Sequence, residues 1–227
     1  MDVILLLITI IPPILIVIIF AASDKFKEPN KEIILVFICG ILITIPAFLL
    51  NTYLYDFYLN YSFISKGLAE SFLSAAVVEE GLKFLILFFV VYRLREFNEP
   101  MDAIVYGVCA SLGFAMLENI YYVYYLDLGE PIYVALTRMF ITIPAHGIFG
   151  AMMGYFFMRY VFIHKSKSLF FSLLIPYFLH GFYNYYISIN FFISLALVIV
   201  SWFIGIKLIL KLKEEQRLKK REYGKKV

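Results

Sequence analysis

Ala75–Lys83 reads AAVVEEGLK and lies about halfway along an apolar run from Ala69 to Tyr92. In lipid every backbone amide must be satisfied within its own segment, so a single spanning stretch of this kind is a helix. Glu79, Glu80 and Lys83 therefore fall inside a membrane span, where a charged group costs about 2.5–3.5 kcal/mol on insertion scales. Charges at that depth are tolerated where a partner or a water-filled cavity receives them. The rest of the chain reads as the walls of such a cavity.

Working outward, the composition fits this reading. The chain has 227 residues, 63% hydrophobic and 16% charged, with a mean hydropathy of +0.86. That is the balance of an all-α polytopic membrane protein, with no room for a soluble domain outside the spans. Seven apolar segments of spanning length follow one another, near 3–22, 33–55, 69–92, 103–126, 132–158, 169–187 and 190–210. The middle four are expected to form the cavity. Pro12, Pro13, Pro46, Pro144 and Pro176 fall within them and are expected to kink their helices. The first segment lacks a basic leader and a small-residue cleavage site, so it reads as a retained helix. The whole chain reads as a single membrane-embedded domain, with its motif-bearing core at about 69–187.

Loop charge gives an orientation. Lys25, Lys27 and Lys31 follow the first segment, Arg93 and Arg95 the third, and Arg159, Lys165 and Lys167 the fifth. The alternate loops hold almost no basic residue. The tail 207–227 carries nine Lys or Arg against three Glu, which reads as a cytoplasmic anchor and not a nucleic-acid patch. By the positive-inside rule the N-terminus is outside and the C-terminus cytoplasmic. Cys39 and Cys109 each sit in an apolar run, so no disulfide framework or CxxC metal site is available.

The third to sixth segments deliver further polar groups to similar depths: Glu118 in GFAMLENIYY, His146 in IPAHGIFG, and His180 with Asn184 in PYFLHGFYNYY. His180 and Asn184 are four apart and share a helix face, offering donors suited to an oxyanion. Glu79 and Lys83 are also four apart in the favourable ion-pair order, with Glu80 about 100° away around the helix. One of the two glutamates is therefore expected to be neutralised locally while the other stays free. Small residues at 107, 110, 111 and 113, and at 147, 150 and 154, allow close helix contact. Glu70 and Arg138 read as an interfacial or surface pair, and Tyr121, Tyr122, Tyr124 and Tyr125 as an aromatic belt.

Carboxylates and imidazoles around a wet cavity suit acid–base hydrolysis, one carboxylate taking a proton from water while donors opposite hold the developing charge. Ser74 and Ser111 have no His partner at a recognisable spacing, which argues against a serine nucleophile. Zn²⁺ held by His146, His180 and one or both of Glu79 and Glu118 is an alternative with an open coordination position. An ion- or proton-coupled carrier or channel could use the same carboxylates, although no inverted repeat supports it.

The motifs carry a resemblance. EEGLK at Glu79–Lys83 is similar to the EExxK motif of the PrsW family of intramembrane proteases, Phe114 to Glu118 match its FxxxE, and His146 and His180 fall where its two later histidine motifs lie. That family resembles in turn the CAAX-protease and bacteriocin-processing superfamily, whose HxxxN is matched by His180 and Asn184. Glu118 stands where CAAX enzymes carry histidine, which favours the PrsW branch over prenyl-protein processing. The resemblance implies a membrane endopeptidase that makes the first, extracytoplasmic cut in a single-span anti-sigma factor, either as a metalloprotease or as a glutamate-type protease. It implies catalytic roles for Glu79, Glu80 and His180, completed by Glu118 and His146 and assisted by Asn184.

Overall fold

The computed structural model describes residues 3–60, 65–126 and 128–223. Among them the ordered elements are helices, and they fall on the seven apolar segments. They are α1 (Val3–Ser23), α2 (Asn30–Asn60), α3 (66–89), α4 (Pro100–Tyr124), α5 (Pro131–Val161), α6 (Ser166–Ile187) and α7 (Phe191–Tyr223). Five of them, α1, α2, α4, α5 and α7, are long and apolar enough to cross a membrane by length and composition. The chain is a multi-pass membrane protein. The seven expected spans appear as seven helical rods, of which α3 and α6 do not have the apolarity of a membrane-crossing helix. Both carry the polar residues singled out above, which lower the apolarity that marks a span. The end of the basic tail, 224–227, lies outside the described residues.

The bundle is organised around α4. Its spanning window is 83% buried, against 22% for α2 and α7 and 28% for α1. Buried polar helix surrounded by apolar, outward-facing rods is the arrangement that lipid demands. The start of α4 is fixed by sequence: Pro100 takes the first helical position, and Glu99 and Asp102 form a reciprocal capping box. Such a box satisfies amides that have no partner within the helix.

Glycines let α4 meet its neighbours at backbone distance. A Cβ on Gly107 would run into the carbonyl of Gly150, and one on Gly154 into that of Ala103, so α4 and α5 cross in direct contact. On the other side, a Cβ on Gly113 would meet the carbonyl of Phe37 on α2. The expected small-residue contact is found at 107, 113, 150 and 154. Gly147 has ordinary space around it.

Two of the site-bearing rods are not uniform α-helix. In α3 the turns Ala69–Ala76 are π-helical and precede the α-helical Val77–Phe89. In α5 a π-helical stretch, Arg138–Thr142, separates Pro131–Thr137 from Ile143–Val161. Pro144, expected to kink this rod, stands one residue beyond that stretch. Its missing amide falls where the hydrogen-bond ladder has already changed register.

Candidate active site

Glu79, Glu80, Glu118, His146 and His180 form one connected cluster, with each of the five 5% exposed or less. Their delivery follows from the helix packing. The close crossing of α4 and α5 sets Glu118 against His146, whose Nε2 is 3.1 Å from Glu118 Oε2. Gly181 on α6 accepts the ring of Phe72 from α3 where any side chain would collide. That contact brings His180 beside the two α3 glutamates, and the His146 and His180 rings are 5.2 Å apart.

The tighter ion pair on α3 is the three-residue one and not the four-residue one. Lys83 Nζ lies 2.7 Å from Glu80 Oε1 and 3.8 Å from Glu79 Oε2. The three-residue spacing therefore holds the tight pair on Glu80 Oε1, while Glu80 Oε2 has no hydrogen bond and Glu79 is the carboxylate with the weaker partners. Its Oε2 has no hydrogen-bond partner, and its Oε1 receives only a long contact, 3.4 Å, from the Asn51 amide of α2. Lys83 acts as the internal counter-ion, with its ammonium 4.4 Å above the Phe114 ring. Phe114 of the FxxxE motif thus forms the floor beneath that charge.

The partners fix the imidazoles. Glu80 Oε1 lies 2.7 Å from His180 Nδ1, and a carboxylate also held by Lys83 is an acceptor, so Nδ1 carries the proton. The lone pair of His180 Nε2 then faces Glu79 Oε2 at 3.8 Å. For His146, Nδ1 lies 3.2 Å from the Lys83 ammonium, a donor, so Nε2 donates to Glu118. Each ring is held in one tautomer by its neighbours.

Arg138 corrects the sequence reading. It is buried on the π-helical stretch of α5, where its Nη2 meets Glu118 Oε2 at 2.7 Å and its Nε donates to Asn119 Oδ1 at 2.7 Å. It is not a surface group. Glu70, its expected partner, is exposed at the cavity mouth instead. The guanidinium lies 4.1 Å over the Tyr122 ring, so Tyr122 belongs to the site, while Tyr125 remains a 76% exposed belt residue. The sequence signal for Arg138 was its place one helical stretch before His146. An arginine near a helix end is more often interfacial, so spacing alone pointed the wrong way.

A cavity of about 640 Å³ leads to this cluster. Its mouth is lined by Gly67, Glu70, Leu128 and Ile189, and its inner wall by Glu118, Arg138, Thr142, His146, Tyr183 and Asn184. The mouth residues come from the start of α3 and from the loops before α5 and α7, at the end opposite Lys25, Arg93 and Arg159. Glu79, Glu80 and His180 are not on its wall and sit directly behind His146. His180 and Asn184 share a face as expected, but only Asn184 reaches the cavity. Ser74 and Ser111 are each spent on a backbone carbonyl, of Asn51 and His146 respectively.

Glu79, His146 and His180 each offer a ligand atom within 4.8 Å of the others. Two imidazoles and a carboxylate are a donor set used by catalytic zinc; the unpartnered Glu79 Oε2 with the facing His180 Nε2 fits such an ion, and His146 would join them only by giving up its contact with Lys83 or with Glu118. Glu118 is not in this set, because Arg138 and His146 occupy it.

A bundle of apolar helices enclosing balanced carboxylates, imidazoles and cations beneath an open cavity defines a membrane-embedded hydrolytic centre. Residues 28–209 match the model of the PrsW family of intramembrane metalloproteases. The chain is 34% identical to Protease PrsW of Geobacillus kaustophilus over 73% of its own length and 72% of that protein. It is 34% identical to Protease PrsW of Clostridioides difficile over 79% and 77%, and 30% identical to that of Bacillus subtilis over 83% and 86%. No solved structure matches significantly. The chain belongs to the PrsW family and is a peptidase.

Proposed function

We propose that the chain cuts a single-span membrane protein on the extracytoplasmic side, an anti-sigma-factor-like first cleavage, with the scissile bond entering the cavity from its outer mouth. The observation that carries this reading is the position of that mouth, at the end of the bundle opposite the basic loops. Under the positive-inside rule the N-terminus and the mouth are both outside.

In the reaction, Glu79 takes the proton of the attacking water on its unpartnered oxygen and returns it to the leaving amide nitrogen. Glu80 holds His180 by Nδ1 and is a positioning residue. Asn184 and the Arg138 guanidinium, both on the cavity wall, donate to the carbonyl oxygen as it becomes negative. Glu118 anchors Arg138 and keeps the His146 ring oriented. With a metal bound, Glu79 would be a ligand beside His146 and His180 instead of the base, and the ion would supply a Lewis acid that makes water acidic enough to attack at neutral pH.

The same groups could in principle relay protons across the membrane. Between Asp102 and Glu118, however, α4 carries Tyr106 and Cys109 as its only titratable side chains, packed among Val105, Val108 and Leu112. That apolar stretch supports hydrolysis over transport.

The test uses the full chain in proteoliposomes with a single-span reporter tagged at both ends. Cleavage near the outer face by the native chain, reduced about 10²–10⁴-fold in Glu79→Gln, is the expected result. Undiminished cleavage in Glu79→Gln, or a cut on the cytoplasmic side, overturns the reading.

A further inference from the structure

A second group of carboxylates lies at the opposite end of α4. Asp24 follows α1, Glu28 stands in the loop before α2, and Asp102 belongs to the first turn of α4. Each presents an oxygen within 4.8 Å of the other two. Glu32, on the first turn of α2, adjoins them through Tyr106, whose hydroxyl contacts both Glu28 Oε2 and Glu32 Oε2.

These groups are short of positive charge. The Tyr106 hydroxyl has one proton, so it can serve Glu28 or Glu32 but not both at once. Asp102 is fully buried; its Oδ2 accepts from the amides of Asn98 and Glu99, and its carboxyl meets that of Glu28, a contact that only a proton or a cation can make favourable. Asp24 is 5% exposed; its Oδ1 accepts from the Phe26 amide, and its Oδ2 has no partner. Lys213 of the tail is the cation that faces Asp24, and its ammonium donates to the Ser23 carbonyl at 2.9 Å, so one positive charge stands against several carboxylates. The buried Asp24 Oδ2 without a hydrogen bond and the buried Asp102–Glu28 carboxyl contact therefore lie together in one group of negative charges.

Leaving such charges uncompensated is costly. A spacing of up to 4.8 Å suits oxygens on opposite sides of one ion, since Ca²⁺–oxygen bonds run about 2.3–2.6 Å and Mg²⁺–oxygen bonds about 2.0–2.1 Å. The donors are all oxygen, with no thiolate or imidazole among them, which selects a hard cation over zinc.

We propose that Asp24, Glu28 and Asp102 bind a hard divalent cation of the Mg²⁺/Ca²⁺ class, separate from the hydrolytic centre, which clamps the α1–α2 loop to the start of α4. Water completes the coordination. The ion is structural: it fixes the end of the helix whose other end presents Glu118.

The test uses the full chain purified in detergent, with Mn²⁺ as the spectroscopic probe and a melting curve as the second readout. The expected result is a bound Mn²⁺ that persists in the double variant Glu79→Gln/His180→Ala and is displaced by Mg²⁺ or Ca²⁺. Its affinity falls at least tenfold in Asp24→Asn, which keeps the acceptor for the Phe26 amide, and in Glu28→Gln. Mg²⁺ or Ca²⁺ raises the melting temperature of the native chain and not that of Asp24→Asn. Should Asp102→Asn fail to fold through loss of the capping box, these two loop variants still decide the matter. Mn²⁺ binding that survives both of them, that disappears with His180, or that is absent from the native chain overturns the proposal. Stability that follows pH but ignores all three cations overturns it as well, since protons then do the neutralising.

Discussion

The two ends of α4 hold acidic clusters built on opposite plans. Around Glu118, three carboxylates meet Lys83, Arg138 and two imidazoles, so nearly every charge has a partner supplied by the chain itself. Around Asp102, carboxylates meet one another and a phenol. The first arrangement is balanced in charge and leaves one oxygen each of Glu79 and Glu80 without a hydrogen bond, and a carboxylate with spare acceptor capacity in a balanced site is what acid–base chemistry needs. The second is short of positive charge and has no reactive imidazole, which suits an ion that stays in place. Carboxylate content alone does not separate a reactive centre from a binding site; the source of the compensating charge does.

The largest effect should come from breaking the balance at the reactive end. Glu80→Gln and His180→Ala should each lower reporter cleavage at least about a hundredfold, with membrane insertion unchanged on fractionation. Arg138→Ala strands Glu118 as a buried unpaired charge and should cost about 3–5 kcal/mol of stability. Adding Glu118→Gln should restore much of the melting temperature without restoring cleavage. Arg138→Lys should rescue neither fully, because one ammonium cannot reach both Glu118 and Asn119 in the fork geometry of a guanidinium. Next, Gly154→Ala forces α4 and α5 apart and should cost about 1–3 kcal/mol, read as a lower melting temperature with cleavage lost in parallel. Smallest at this end, Asn184→Ala should reduce cleavage about tenfold or somewhat more with no change in melting, as one oxyanion donor among two. Equal losses from Asn184→Ala and Glu80→Gln would erase the distinction drawn between cavity wall and buried support.

The helical class, the motif residues and their convergence were legible in the chain because lipid makes polar residues conspicuous. Glu79, Glu80, Glu118, His146 and His180 stand out against apolar runs, and glycines at 107, 150 and 154 announce a close crossing. What remained hidden depends on side-chain reach. Lys83 can span either three or four residues along a helix, and the choice of Glu80 over Glu79 is made by His180 arriving from α6. Arg138 lies near a rod end, and only the π-helical turn and the buried Glu118 opposite explain why it turns inward. The inner cluster joins residues 24 and 102 across two helices, a proximity that no local spacing encodes.

The π-helical turns of α3 give the motif helix an unusual tolerance and an unusual weakness. A π turn holds one residue more than the α turn it replaces, so Ala69–Ala76 stores a spare residue between the cavity mouth and the EExxK sequence. Removing one residue there can be absorbed by relaxation to ordinary α geometry, with Glu79 and Glu80 kept in phase with α6. Removing one from Val77–Phe89 has no such slack, and would swing everything beyond the cut by about 100°. The length of α3 is therefore adjustable on one side of the glutamates and rigidly counted on the other.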